Sequence, residues 1–213
     1  MTEDVTRTRP RRERRPETLR LLFVCTANIS RSPYAERRAR QLMGPAPGEA
    51  SESAAGSAES AVASLDVSSA GVPGFPGNAM DPAMARELET RGVTDHAHLS
   101  RALSGEILAA ADVVVTLEFA HRLRITERWP EHAAKVFGLR QLADALTRST
   151  SDEAGLAALD AALAVARPDN LGWDVSDPFA QGAAAARRCA GEIDEALEVI
   201  VPRLTGIRVA SGN

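Results

Sequence analysis

Residues 19–33 read LRLLFVCTANISRSP, from Leu19 to Pro33. The first seven are apolar on both faces apart from Arg20, the pattern of a strand buried inside a parallel sheet. Ser32 then supplies a capping hydroxyl with Pro33 just inside the start, and residues 34–43 continue with good helix formers. The stretch therefore predicts strand, short loop and helix. Its loop places Cys25 and Arg31 with five residues between them.

That spacing has a physical use. A loop that curls into a helix N-terminus turns consecutive backbone N–H groups inward, and with the helix dipole they form a seat for a tetrahedral anion. Cys25 sits at the bottom of such a seat, where the donors, the dipole and the Arg31 guanidinium all favour thiolate over thiol. Thr26, Ala27, Asn28, Ile29, Ser30 and Ser32 make up the rest of the phosphate-binding loop, and Ser32 is placed to donate its hydroxyl to the sulfur. Arg31 can grip two phosphoryl oxygens with its planar fork, a task for which lysine is geometrically poorer. Phosphoryl transfer to sulfur also needs a proton donor for the leaving oxygen. Asp177, in the turn-like segment Val175-Ser176-Asp177-Pro178-Phe179, is the candidate.

Outward from this unit, strands and helices alternate. Strands are expected at 65–69, 112–117 and 135–137, and helices at 81–91, 104–110, 119–127, 139–146, 153–166 and 183–204. Asp81-Pro82 is a second Asp-Pro, and it reads as the N-cap of a helix rather than as an acid. Alternation of this kind implies right-handed crossovers and a parallel sheet covered on both faces, with ligands bound beyond the strand C-termini.

The chain has 213 residues, 44% of them hydrophobic, which suits one α/β domain spanning 19–206. Seven arginines crowd the first twenty residues among Pro10 and Pro16, so residues 1–18 read as a disordered basic arm. Residues 44–63, small and polar, read as a flexible insertion, 147–171 as an extra helical insertion, and 207–213 as a tail. A net charge of -4 gives no overall pull toward nucleic acid. The apolar run after the arm is too short for a secretory signal, and no stretch is long enough for a membrane span. A cytoplasmic location is expected. Two cysteines, Cys25 and Cys189, make no disulfide framework or zinc pattern, and no cofactor is called for. His96, His98, His121 and His132 lack ligand spacing, so no metal is expected. His98 is expected to brace structure, and Cys189 to pack in the last helix.

C-x-x-N-x-x-R-S-P after the first strand, with Asp-Pro far downstream, resembles the low-molecular-weight protein tyrosine phosphatase family. Ser69-Ala70-Gly71, Asp81-Pro82, His98-x-Ser100-Arg101-x-Leu103 and Ala111-Asp112 leading into Leu117-Glu118 resemble it in the same order, over 19–146 and 173–204. The resemblance implies a three-layer α/β/α fold whose four parallel strands run in the flavodoxin-like order 2-1-3-4. It implies Cys25 as nucleophile, Arg31 as phosphate clamp, Asp177 as general acid, Asn28 and Ser32 as braces, and Phe75 and Phe179 as walls of the substrate crevice. The substrate would be a phosphotyrosine protein or another aryl phosphate. Ala27 stands where the family often has glycine, acceptable if no positive φ is needed. Ser30 stands where some members carry a protective second cysteine, so that redox switch should be missing. Arsenate reduction on the same fold is the alternative, against which the single extra cysteine argues; a non-catalytic phosphate-binding scaffold is another.

Overall fold

In the computed structural model the described residues are 18–44 and 64–207. The expectations for 1–17, 45–63 and 208–213 lie outside them. The first strand, β1, spans Leu19–Cys25 and pairs in parallel with β2 (Leu65–Gly71) on one side and β3 (Val113–Thr116) on the other. β3 pairs with β4 (Val136–Gly138), giving the order β2-β1-β3-β4. This is the order the resemblance implies.

Side chains alternate across the pleat, so β1 feeds two cores at once. Leu19, Leu21, Phe23 and Cys25 enter one, together with residues of α1 (Arg31–Met43), α2 (Pro82–Thr90), α5 (Leu139–Arg148), α6 (Leu156–Leu163) and α7 (Ala183–Thr205). Leu22 and Val24 enter the other, against Leu108 of α3 (Gly105–Ala110) and Ile125 of α4 (Phe119–Arg128). Each fully buried side chain of this size contributes roughly 1.5–3 kcal/mol relative to exposure, so the sheet is fixed from both faces. Helices on both faces make the three layers.

The long α7 buries Ala186, Cys189, Ala190, Ile193, Leu197, Ile200 and Leu204, a stripe at helical spacing that packs against α1 and α5. Asp194 on its edge accepts from Tyr34 Oη at 2.9 Å and Arg38 Nε at 3.0 Å, and pairs with Arg91. One carboxylate thus ties α7 to α1 and to the end of α2. Burial, seconded by Asp194, raises the Tyr34 phenol above its ordinary range, so this hydroxyl stays a donor.

Most element boundaries shift from expectation by one or two residues. β2 runs on to Gly71, and α6 is shorter than 153–166. α1 begins at Arg31, with Ser30 rather than Ser32 at its N-cap and without a side-chain cap bond. Ser32 lies inside the first turn, and its hydroxyl is engaged by the loop. Asp81, by contrast, does cap α2, accepting from the Met84 N–H.

Candidate active site

Register brings Cys25 level with Gly71, and Val24 level with Thr116, so the strand ends and the loops after them share one edge of the sheet. The loop after β1 is held by its carbonyls. Cys25 O accepts from Val72 N at 2.8 Å, Thr26 O from Gly74 N at 3.0 Å, Asn28 O from His98 Nε2 at 2.7 Å and Ile29 O from Asp81 N at 3.0 Å. In a planar trans peptide each N–H points opposite to the preceding carbonyl. Turning these four carbonyls outward therefore turns the N–H groups of Thr26, Ala27, Ile29 and Ser30 inward.

Asn28 carries the sharp bend, with φ at 58°, a region asparagine tolerates better than most residues. Ala27 has no positive φ, so the absent glycine costs nothing there. The Asn28 amide donates to Ser32 Oγ at 3.0 Å and Ser69 Oγ at 2.9 Å, and its oxygen accepts from Arg101 N at 2.9 Å. Ser32 Oγ lies 3.1 Å from Cys25 Sγ, with Ala70 O as a second acceptor at 3.3 Å. Having accepted from Asn28, the Ser32 hydroxyl has its own proton left to share with the sulfur. Gly71 completes the seat from behind: a Cβ there would come within 2.8 Å of the Ala27 carbonyl carbon.

Arg31, 1% exposed, lies at the other end of the loop. Its Nη1 donates to Val175 O at 2.8 Å and pairs with Glu118, while Nη2 lies 3.1 Å from Asp177 Oδ2. Nε has no partner among the described residues, which leaves the Nε side of the fork for a ligand oxygen. Burial pulls the Arg31 pKa down, but the Cys25 sulfur, Glu118 and Asp177 more than offset it, and the group stays above its ordinary value. Asp177 is held in turn. Val175 N donates to Leu117 O at 2.8 Å, and Asp174 accepts from the Phe119 N–H at 2.6 Å, pinning the Asp-Pro turn to the end of β3 and the start of α4.

These residues line a cleft of about 400 Å³ with Cys25, Thr26, Ala27, Ile29, Ser30 and Arg31 in its floor and Phe75, Asn78, Asp177 and Phe179 around it. Phe75 and Phe179 are 54% and 56% exposed, large for aromatic rings that serve packing alone. Every sequence-predicted site residue but Asn28 and Ser32 touches this cleft, and those two lie buried beneath the loop.

The sequence reading assigned no site role to Asn78, which lines the cleft, nor to Glu118 and His121 beside it. Glu118 pairs with Arg31, and His121, fully buried, sets its Nε2 2.8 Å from Thr26 Oγ1 and 3.6 Å from Glu118 Oε2. The available signal was a carboxylate and an imidazole three residues apart just beyond a strand C-terminus. Burial first, then the nearby Arg31 and Arg124, push the His121 pKa down to about 3. As pH falls below the ordinary value of 6.5, the unfolded chain takes up a proton that the folded chain refuses until near 3. Stability is therefore lost across that window, by about 2 kcal/mol at pH 5 relative to pH 8 from this group. Urea unfolding at the two pH values should show the loss in wild type and a smaller one in His121→Gln.

Cys189 is buried in α7 and both cysteines are free. Burial above all pushes its thiol up to about 12, which makes it a poor partner for thiol-based electron transfer and weighs against arsenate reduction. Among the described residues no helix is long and apolar enough to cross a membrane.

Comparison with known proteins agrees with the geometry. The chain is similar to a probable low molecular weight protein-tyrosine-phosphatase, EpsP, of Ralstonia nicotianae, 27% identical over 122 residues, covering 57% of this chain and 71% of the relative. It is similar to the protein-arginine-phosphatase of Bacillus subtilis, 27% identical over 121 residues, with 57% and 70% covered. The fold matches the crystal structure of a low molecular weight protein tyrosine phosphatase from T. tengcongensis with a TM-score of 0.62 at 21% identity, covering 88% of this chain and all of that one. The profile described as low molecular weight phosphotyrosine protein phosphatase matches residues 20–156, more than half of the chain, and to that family the chain belongs.

Proposed function

We propose that the protein removes phosphate from tyrosine residues of protein substrates through a phosphocysteine formed on Cys25. The observation that carries this reading is the convergence of Cys25, Arg31 and Asp177 on one cleft. The phosphoryl group enters the cup of inward N–H groups, with two of its oxygens on the Arg31 fork. Cys25 Sγ attacks phosphorus, the bond from phosphorus to the aryl oxygen breaks, and that oxygen takes the proton of Asp177. Water then attacks phosphorus, the S–P bond breaks, and Asp177 takes the proton from that water. Phenol and inorganic phosphate leave, and the thiolate returns. Ser32 stabilises the sulfur as it departs. The reaction needs a reduced thiol, consistent with a cytoplasmic setting.

The cleft favours an aryl group over a guanidinium. Phe75 and Phe179 offer two aromatic faces to a phenyl ring. Of the cleft-lining residues Asp177 alone carries a carboxylate, and it is already shared with Arg31, so a phosphoarginine would find no free anion. The test is kcat/KM on matched phosphotyrosyl, phosphoarginyl and phosphoseryl peptides. Phosphotyrosine should lead, and Asp177→Asn should lower its turnover by roughly 10²–10³. Preference for phosphoarginine or equal use of phosphoserine would overturn the assignment.

A further inference from the structure

The two ends of the phosphate loop are joined by side chains as well as by backbone. Thr26, directly after Cys25, meets His121; His121 faces one oxygen of Glu118, and the other oxygen of Glu118 pairs with Arg31. We propose that His121 is a positioning residue, held as the Nε2–H tautomer, which braces the nucleophile end of the loop against the arginine end through Glu118.

The tautomer follows from the partners. His121 Nδ1 is buried and has no partner among the described residues. A proton on Nδ1 would be an orphaned donor, and it would leave the Nε2 lone pair facing the Glu118 carboxylate and the Thr26 oxygen. A proton on Nε2 meets an acceptor at 2.8 Å and a carboxylate oxygen at 3.6 Å. The charged groups around the ring are Arg31 and Arg124, which oppose its protonation, and Glu118 and Asp177, which favour it; burial outweighs them and keeps the ring neutral.

The arrangement has a consequence for Thr26. Its oxygen accepts from His121, so its own hydroxyl proton is free, and Thr26 lines the cleft. The hydroxyl therefore acts as a donor to a ligand oxygen, aimed by a residue that never touches the ligand.

The experiment has a spectroscopic arm and a kinetic arm, and only the second rests on the phosphatase reading. Long-range ¹H–¹⁵N spectra of the wild-type imidazoles should show His121 as Nε2–H, unchanged from about pH 5 to 8, where an ordinary histidine titrates. On p-nitrophenyl phosphate, Thr26→Val and His121→Leu should each lower kcat/KM by about tenfold, and the double variant should be no worse than either single one. His121→Gln, whose amide also donates, should recover part of the loss. An Nδ1–H or titrating His121, or losses that multiply in the double variant, would overturn the proposal. Should His121→Leu not fold, Thr26→Val and the His121→Gln pairing carry the cycle. Should wild type prove inactive on the ester, the phosphatase reading fails while the spectra still decide the tautomer.

Discussion

Replacing Cys25 by serine is expected to reduce phosphatase turnover on the order of 10⁵-fold while leaving the fold in place. The side chain is 3% exposed, packs at the edge of one core and lies beside Ser32 Oγ, and the swap of sulfur for oxygen keeps its shape closely enough to cost the structure little, about 1 kcal/mol. The chemistry fares differently. A serine hydroxyl in the same cup is far harder to ionise than a thiol, and among the described residues no base is bonded to that position to take its proton. The inward N–H groups and Arg31 remain, so phosphate and vanadate should still bind the variant. Steady-state turnover of p-nitrophenyl phosphate and phosphate binding by calorimetry separate the two effects. Loss of both together would point to a collapsed loop rather than to a missing nucleophile.

The second large effect is expected at Arg31. One guanidinium serves Glu118, Val175 O and Asp177, and its buried Nε has no partner among the described residues. A lysine ammonium has three donors on a single nitrogen and no planar fork, so it cannot keep those partners and also hold two phosphoryl oxygens. Arg31→Lys should lower kcat/KM by about 10³, with most of the loss in kcat because the grip strengthens as charge moves onto the equatorial oxygens. Vanadate inhibition should weaken in parallel. Arg31→Ala would further strand Glu118 beside a buried void and should lower thermal stability as well, which a melting curve resolves.

Much of this was readable in the chain because it rests on local pattern. The run from Leu19 to Cys25 is apolar on both faces since both faces are covered, and the structure assigns the strand to those same residues. The β-branched Val113-Val114-Val115-Thr116 and the alternation of strands with helices fix a parallel sheet, and its order matched the family resemblance. The spacing of Cys25 and Arg31 brought both to one loop because the residues between them are that loop.

What was missed depends on contacts across long stretches of chain. His121 and Thr26 are 95 residues apart, and nothing near either one announces the other. Glu118 reads as the start of a helix and becomes a partner of Arg31 only because β3 lies beside β1. Gly71 is demanded by a backbone approach that no local pattern records. Ser32 shows a different failure. Its place before Pro33 favours an N-cap, but the loop needs its hydroxyl at the sulfur, so the helix starts two residues earlier, at Arg31.

The central claim is covalent: the phosphoryl group passes through the Cys25 sulfur. Rapid quenching of Asp177→Asn with p-nitrophenyl phosphate, whose leaving group departs without an acid, tests it directly, because hydrolysis of the intermediate should then lag behind its formation. The account predicts a stoichiometric burst of p-nitrophenol and, by mass spectrometry of the quenched protein, a phosphoryl group on the peptide containing Cys25. A burst with phosphate carried on another residue, or turnover with no phosphoenzyme at any time, would contradict it.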